Sequence, residues 1–95
     1  MIQFPDCLQV DVTSEDIAQG CPKDSAACPI ARAVQRCTAS LFVSVAAYIA
    51  IDDDDRSVVM YRLPPEARLF IEAFDHDEFV APFSFEARRC DEDRR

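Results

Sequence analysis

The sequence predicts an α+β fold with a four-stranded sheet and two main helices on one face of it. Four segments show the period-2 alternation of apolar side chains that is typical of strands. These segments are residues 8–13, 41–51, 57–63 and 79–87. Two helical segments, residues 28–37 and 64–78, separate the first strand from the second and the third from the fourth. The order β-α-β-β-α-β is that of a ferredoxin-like split βαβ unit, and a mixed α+β sheet with another strand order is the alternative.

A short additional helix is predicted directly after the first strand. Thr13 has the side chain of an N-cap residue, and Asp16 stands three positions later, where its carboxylate completes a capping box. Gly20, the only glycine of the chain, is expected to end this helix.

The two main helices each begin at a proline, Pro29 and Pro65, whose missing N–H would be unpaired at a helix start in any case. Each proline is followed by an apolar stripe at helical spacing. The stripes consist of Ile30, Val34 and Cys37 in the first helix, and of Ala67, Phe70, Ile71 and Phe74 in the second.

Residues 41–51 and 57–63 are expected to form a β-hairpin, because a short polar segment joins two alternating runs. The last strand contains Pro82, which cannot donate to a β-ladder, so we expect this strand at an edge of the sheet. Residues 88–95 read as a polar tail on a single domain that spans residues 1–95.

Composition excludes several classes of function. The net charge is −8, from 18 acidic and 10 basic residues, which argues against direct nucleic-acid or anionic-membrane binding and favours a protein partner with a basic surface. The first residues lack the basic and long apolar regions of a signal peptide, and no apolar run reaches membrane-spanning length. We therefore expect a soluble, intracellular protein.

Four consecutive aspartates, Asp52, Asp53, Asp54 and Asp55, connect the two strands of the predicted hairpin. Calcium loops space their ligands at alternate positions and need a glycine for the sharp turn, so a consecutive run without glycine does not fit a metal site. The run is instead a solvated turn, since aspartate favours turns, or an acidic tip that meets a basic partner.

Five cysteines occur without a C-x-x-C pair, and one histidine accompanies them, so the spacing does not indicate a zinc site. Cys21 and Cys28 flank one loop and could form a disulfide. Cys28 also precedes a helix-starting proline, where a thiolate would be stabilised, but a nucleophile there needs a base partner that the sequence does not supply. We predict no catalytic residue, no metal and no cofactor.

The sheet face opposite the helices is the candidate binding surface. Phe42 and Tyr48 share that face of the second strand, and the strand that follows contributes either Tyr61 or the pair Val58 and Met60, depending on register. Apolar patches of this kind often mark protein contacts. Phe42, Tyr48 and Tyr61, with the aspartate run, are the residues we expect to bind a partner.

Several segments resemble a group of small uncharacterised proteins encoded by actinobacterial phages. The resemblance covers Val10 to about Ala87 and rests on VDVTSEDIAQG, CPIARAVQR, YRLPPEARLFIEAFD and VAPFSFEA. It matches the group's VTxEDIxxG start, its CP[IV]A helix and its LPxExRxFIxxFD helix. The resemblance implies a phage accessory protein acting in the cytoplasm of the bacterial host, and it implies no catalytic activity.

These observations leave three hypotheses. The first is a non-enzymatic protein that binds a host or phage protein, as an inhibitor or as a nucleic-acid mimic. The second is a structural homodimer formed through the apolar face. The third is a small thiol- or zinc-dependent domain that uses its cysteines.

Overall fold

A computed structural model describes residues 5–40, 43–52 and 58–90 of the chain. Within these ranges lie five strands and three helices. In chain order they are β1 (Cys7–Val12), α1 (Ser14–Gln19), α2 (Pro29–Thr38), β2 (Val43–Val45), β3 (Tyr48–Asp52), β4 (Val58–Arg62), α3 (Pro65–Asp75) and β5 (Phe83–Arg89). The α+β class is confirmed, but the described sheet has five strands where the sequence predicted four.

The strand order is β1-β5-β4-β3-β2, and every neighbouring pair is antiparallel. The β3–β4 pairing confirms the predicted hairpin. The order differs from the predicted ferredoxin-like unit, because a split βαβ unit uses its helices to cross over between parallel strands. Here β1 lies at one edge of the sheet, and α3 joins β4 to its antiparallel neighbour β5.

The additional strand arises because the predicted strand over residues 41–51 folds back on itself. The chain turns at Ala46 and Ala47, and Val45 pairs with Ile49 across the turn. Three residues separate this pair, so the odd-numbered positions face the core both before and after the turn. The alternation of apolar residues therefore continues through the turn, so hydrophobic periodicity does not reveal the turn.

β5 lies inside the sheet, between β1 and β4, which corrects the prediction of an edge strand. Pro82 does not interrupt a ladder because the strand begins one residue later, at Phe83. Pairing with β4 is brief, and the two residue pairs lie at Tyr61 and Arg62 of β4. β4 cannot continue along β5, since Pro64 and the proline after it lack an N–H and lead into α3.

The segment expected to form a polar tail also needs correction. Arg88 and Arg89 are the last residues of β5, and the Cys90 N–H donates to the Met60 carbonyl at 2.9 Å. Cys90 is buried. Residues 88–90 thus belong to the sheet region, and residues 91–95 lie outside the described part of the chain.

α2 lies in the concave side of the curled sheet and contacts both of its edge strands, β1 and β2. Its apolar residues are almost completely buried. They are Ile30, Ala31, Ala33 and Val34. The small side chains at two of these positions allow the helix to approach the strands closely. One helix therefore supplies the centre of the core.

Hydrogen bonds from α2 and from the loop before it cover the backbone of both edge strands. The Cys37 thiol donates to the Gln9 carbonyl at 3.3 Å, and the Arg36 guanidinium donates to the Asp11 carbonyl at 2.8 Å. On the opposite edge, the Val45 N–H donates to the Ser25 carbonyl at 2.9 Å. These bonds occupy backbone groups that would otherwise be free to pair with another chain.

α3 packs its buried side chains on the β5 side of the core. The Phe70 ring stacks on Phe83 with 4.8 Å between centroids, and Phe83 stacks on Phe85 at 5.5 Å. Ala67 of α3 is fully buried. All three helices therefore contribute to one face of the sheet, and the residues that alternate with the core positions point away from it.

The predicted capping box is present on α1. Thr13 Oγ1 accepts from the Asp16 N–H, and Gly20 follows the helix end with its N–H donating to the Asp16 carbonyl. Gly20 has φ −71°, which any residue can adopt. Glycine is instead required for lack of space, because a Cβ at position 20 would lie 2.7 Å from Pro29 Cδ.

We therefore expect Gly20→Ala to lower the free energy of unfolding by roughly 1–3 kcal/mol, the usual cost of overpacking. Both clashing groups are held by the backbone, so neither can rotate away. Urea denaturation followed by circular dichroism measures the change.

Ala39→Gly is the control, because it changes glycine content at another helix end. Ala39 has φ 57°, a left-handed conformation that glycine adopts more easily, so this variant should be as stable as the wild type or slightly more stable. A Gly20→Ala protein as stable as the wild type would show that the α1–α2 junction can relax.

Candidate functional site

The outer sheet face is the side of β3 and β4 that points away from the helices. It consists of Tyr48, Ala50, Val58 and Met60. Ala50 lies opposite Met60, and Tyr48 and Val58 lie toward the two ends. Tyr48 is 42% exposed and Val58 is 45% exposed, values that are high for large apolar side chains. An apolar strip therefore runs along the middle of the hairpin on its helix-free side.

The two ends of this strip differ in charge. At one end Tyr48 lies opposite Arg62, and Arg62 lies opposite Arg88 of the next strand. At the other end Asp52 lies opposite Val58 and leads into the aspartate run. Two like charges directly across a ladder are mildly destabilising, so the arginine pair adds nothing to the fold through that contact.

The structure corrects the prediction for Tyr61. Its ring faces the core opposite Ile49, it is fully buried, and its hydroxyl donates to the Pro5 carbonyl at 2.6 Å. Of the two registers that the sequence left open, the one that exposes Val58 and Met60 is present. Tyr61 thus cannot contact a partner on this face without unfolding.

The remaining predicted residues divide into two groups. Tyr48 and Asp52 are exposed and lie on β3, Tyr48 at its start and Asp52 at its end. Phe42 and the range 53–55 lie outside the described residues, so their predicted role stays a prediction. Arg62 and Arg88 were missed, because only the strand register shows that they meet.

Cys28 is a helix cap in the core. Its Sγ accepts the Ala31 N–H at 3.4 Å, and its side chain is buried. Burial raises the pKa of the Cys28 thiol and the charge of Asp75 adds to the rise, against the lowering by the first N–H groups of α2. The thiol is consequently protonated at neutral pH and is a poor nucleophile.

The sequence left open whether Cys21 and Cys28 form a disulfide or stay thiols, and both are free thiols in the structure. Within residues 5–40, 43–52 and 58–90, no group of three or more His, Cys, Asp or Glu side chains is arranged to hold a metal ion. The helices of this part of the chain also lack the length and apolar character needed to cross a membrane.

Among the residues that the structure describes, Asp16 is the one buried charged side chain, at 2% exposed. Arg36 donates to its two oxygens at 2.7 and 3.0 Å, and the Thr13 N–H donates at 3.0 Å. Burial raises the pKa of Asp16, but the hydrogen bonds from Arg36 and Thr13 outweigh it, so the pKa lies below its ordinary value. Because Arg36 and Thr13 supply the donors to the Asp16 carboxylate, the ion pair between Asp16 and Arg36 stabilises the fold.

Sequence spacing identified Asp16 as a capping residue but gave no sign of its pairing with Arg36, twenty positions later. Nothing in the composition marks one of nine arginines as the partner.

Comparison with protein-family models, with curated proteins and with solved structures finds no match to the chain.

We expect Asp16→Asn to lower the free energy of unfolding at neutral pH by roughly 2–3 kcal/mol, because it removes charge-assisted bonds to a buried carboxylate and sets the asparagine NH2 against the donors of Arg36 or Thr13. The wild type should also lose stability as the pH falls below about 4. The pKa of Asp16 is lower in the folded protein than in the unfolded chain, so the unfolded chain binds the proton first. Urea denaturation over a pH series measures both effects.

Glu15→Gln, on the same helix but exposed, is the control and should change stability by about 0.5 kcal/mol or less. The Asp16→Asn protein should lack the part of the acid sensitivity that Asp16 contributes. Equal acid sensitivity in the variant and the wild type would contradict the assignment of the lowered pKa to Asp16.

Proposed function

We propose that the chain is a non-enzymatic binding protein whose outer sheet face docks a protein partner with a basic surface. The observation that carries this proposal is the exposed apolar strip of Tyr48 and Val58 on the helix-free side of the hairpin. Burying such side chains contributes roughly 25 cal/mol per Å², so a strip left in water is a ready source of binding energy.

Charge supports the choice of a basic partner. The net charge is −8, and the aspartate run continues from the Asp52 end of the outer sheet face. A high acidic charge speeds encounter with a positive surface and makes the complex sensitive to salt. Acidic side chains that occupy a groove built for nucleic acid are one form of this binding, which would make the protein an inhibitor.

The resemblance to small actinobacterial phage proteins supports the setting of the proposal. A phage accessory protein acts in the cytoplasm of the bacterial host, where its partner is a host or phage protein. The neutral, buried Cys28 thiol supports a binding role over a thiol-dependent reaction.

The test compares partner capture by the wild type and by Tyr48→Ser/Val58→Thr, which replaces the two exposed apolar side chains of the strip and keeps a β-compatible residue at position 58. We expect the double variant to retain at least tenfold less partner from host lysate. Binding by the wild type should also fall as salt rises to about 1 M, where the Debye length is roughly 3 Å.

Leu69→Ser is the matched control, because Leu69 is 66% exposed but lies on α3 rather than on the outer sheet face. It should capture the partner as the wild type does. Equal capture by the double variant would contradict the proposed surface, and capture that does not depend on salt would contradict the basic partner.

A homodimer is the second candidate, and the charge gradient along the outer sheet face favours it. Two copies related by a two-fold axis would place the Arg62 and Arg88 end of one strip against the Asp52 end of the other. The apolar middles would then cover each other, as an isologous interface requires.

Size-exclusion chromatography with light scattering tests this arrangement. A dimer through the outer sheet face should have twice the mass of one chain at low salt, and Arg62→Glu should convert it to monomer by opposing like charges. Adding Asp52→Lys to that variant should restore the dimer. A wild type that stays monomeric at high concentration would rule out the homodimer and leave the face free for the proposed partner.

A further inference from the structure

Two of the five cysteines, Cys21 and Cys28, lie at the two ends of one loop, which we name the 21–28 loop. Backbone contacts hold these ends side by side. The Cys21 N–H donates to the Ala27 carbonyl at 2.8 Å. Next to them, Gly20 packs so closely on Pro29 that a Cβ at position 20 would lie 2.8 Å from the Pro29 nitrogen. The chain therefore enters and leaves the 21–28 loop along the same line.

The hydrogen bond to Ala27 limits how far apart the two cysteines can be. A fully straight path from the Cys21 Cα through this 2.8 Å bond and the Ala27 peptide to the Cys28 Cα measures about 7 Å. The real path bends at the nitrogen and at the oxygen, so the two Cα atoms are closer than that. Disulfides join Cα atoms roughly 4.4–6.8 Å apart. The Cα separation thus allows a disulfide without displacement of α1 or α2.

Other contacts hold the 21–28 loop in this shape. The Lys23 N–H donates to Asp75 Oδ1 at 2.8 Å, and the Ser25 carbonyl accepts the Val45 N–H at 2.9 Å. One contact joins the loop to the end of α3 and the other joins it to the edge strand β2. Because the fold already closes the loop, the entropy cost of bringing the two thiols together is met before any oxidation.

The two thiols differ in their access to solvent. Cys21 is exposed, whereas Cys28 is 3% exposed and accepts the Ala31 N–H. Cys28 also borders a cavity of about 260 Å³ that residues 23–25 of the same loop line. Its sulfur therefore has free space on the side of the loop. An oxidant from solvent reaches Cys21 first, and Cys28 reacts through Cys21.

We propose that Cys21 and Cys28 form a reversible disulfide when the chain meets a small-molecule disulfide, and that the structure shows the reduced state. The proposal goes beyond the binding function and does not rest on it, because the 21–28 loop lies on the helix side of the sheet. The bond is a modification of the chain itself.

The reaction is a pair of thiol–disulfide exchanges. The Cys21 thiol loses its proton to water, and the thiolate attacks one sulfur of the small disulfide. The S–S bond of the oxidant breaks, and one half leaves and takes up a proton. The Cys28 thiol then loses its proton, and its sulfur attacks the Cys21 sulfur, which releases the other half as a second thiol. Two protein thiols are oxidised to one disulfide, and one small disulfide is reduced to two thiols.

The second exchange is the slower one. Burial raises the pKa of the Cys28 thiol, so only a small fraction is thiolate at neutral pH. Two effects work in the opposite direction. A thiolate of higher pKa is intrinsically more nucleophilic, and attack within a preformed loop has a high effective molarity.

The experiment incubates the reduced protein with mixtures of reduced glutathione and glutathione disulfide, blocks the remaining thiols and digests the protein with trypsin. The only lysine, Lys23, lies inside the 21–28 loop, so trypsin separates Cys21 from Cys28. Mass spectrometry should find the peptides of residues 1–23 and 24–32 joined by a disulfide. This pair should form at a glutathione disulfide level at least tenfold lower in native buffer than in concentrated urea. No joined peptides, or equal formation in urea, would overturn the proposal.

Three variants assign the bond. Cys21→Ser should abolish the joined peptides and slow the oxidation of Cys28 at least tenfold; its backbone N–H still bonds to Ala27, so the fold is kept. Cys7→Ser is the matched control, because Cys7 is on the same tryptic peptide, and it should behave as the wild type. Cys28→Ser keeps a capping oxygen for α2 and should trap glutathione on Cys21. Joined peptides that persist in Cys21→Ser, or that disappear in Cys7→Ser, would contradict the assignment to Cys21.

Discussion

The bidentate pair between Asp16 and Arg36 is the contact on which the rest of the structure depends. Asp16 caps α1, and Arg36 lies near the end of α2 and also bonds to the Asp11 carbonyl of β1 at 2.8 Å. One guanidinium therefore joins two helices to an edge strand. Because Asp16 is 2% exposed, an unpaired carboxylate there would be costly, and this cost makes the relative positions of the three elements specific.

The position of α2 determines which surfaces remain free. With α2 against both edge strands, the sheet curls around it, and the helix region bonds to the exposed backbone of β1 and β2. The helices then occupy the concave face, and the outward positions of β3 and β4 have no helix to cover them. The exposure of Tyr48 and Val58 is thus a consequence of where α2 is held.

Local signals predicted local structure well. The capping box at Thr13, the helix starts at Pro29 and Pro65 and the hairpin of β3 and β4 are all present. The turn at residues 46–47 was missed, since it lacks glycine, asparagine and aspartate and preserves the alternation of the strand. The place of β5 could not be predicted because strand order depends on long-range pairing. For the same reason the sequence could not choose between Tyr61 and Val58 as the exposed side chain.

The acidic residues of the chain have two different physical roles. Asp16 is placed at a helix start, receives three hydrogen bonds and has a lowered pKa, so its charge stabilises the fold. Asp75 is placed at a helix end, receives one backbone hydrogen bond and is followed by two more acids, so its charge works against the helix that carries it. The position of each acid along its helix therefore separates the acids that hold this protein together from those that do not.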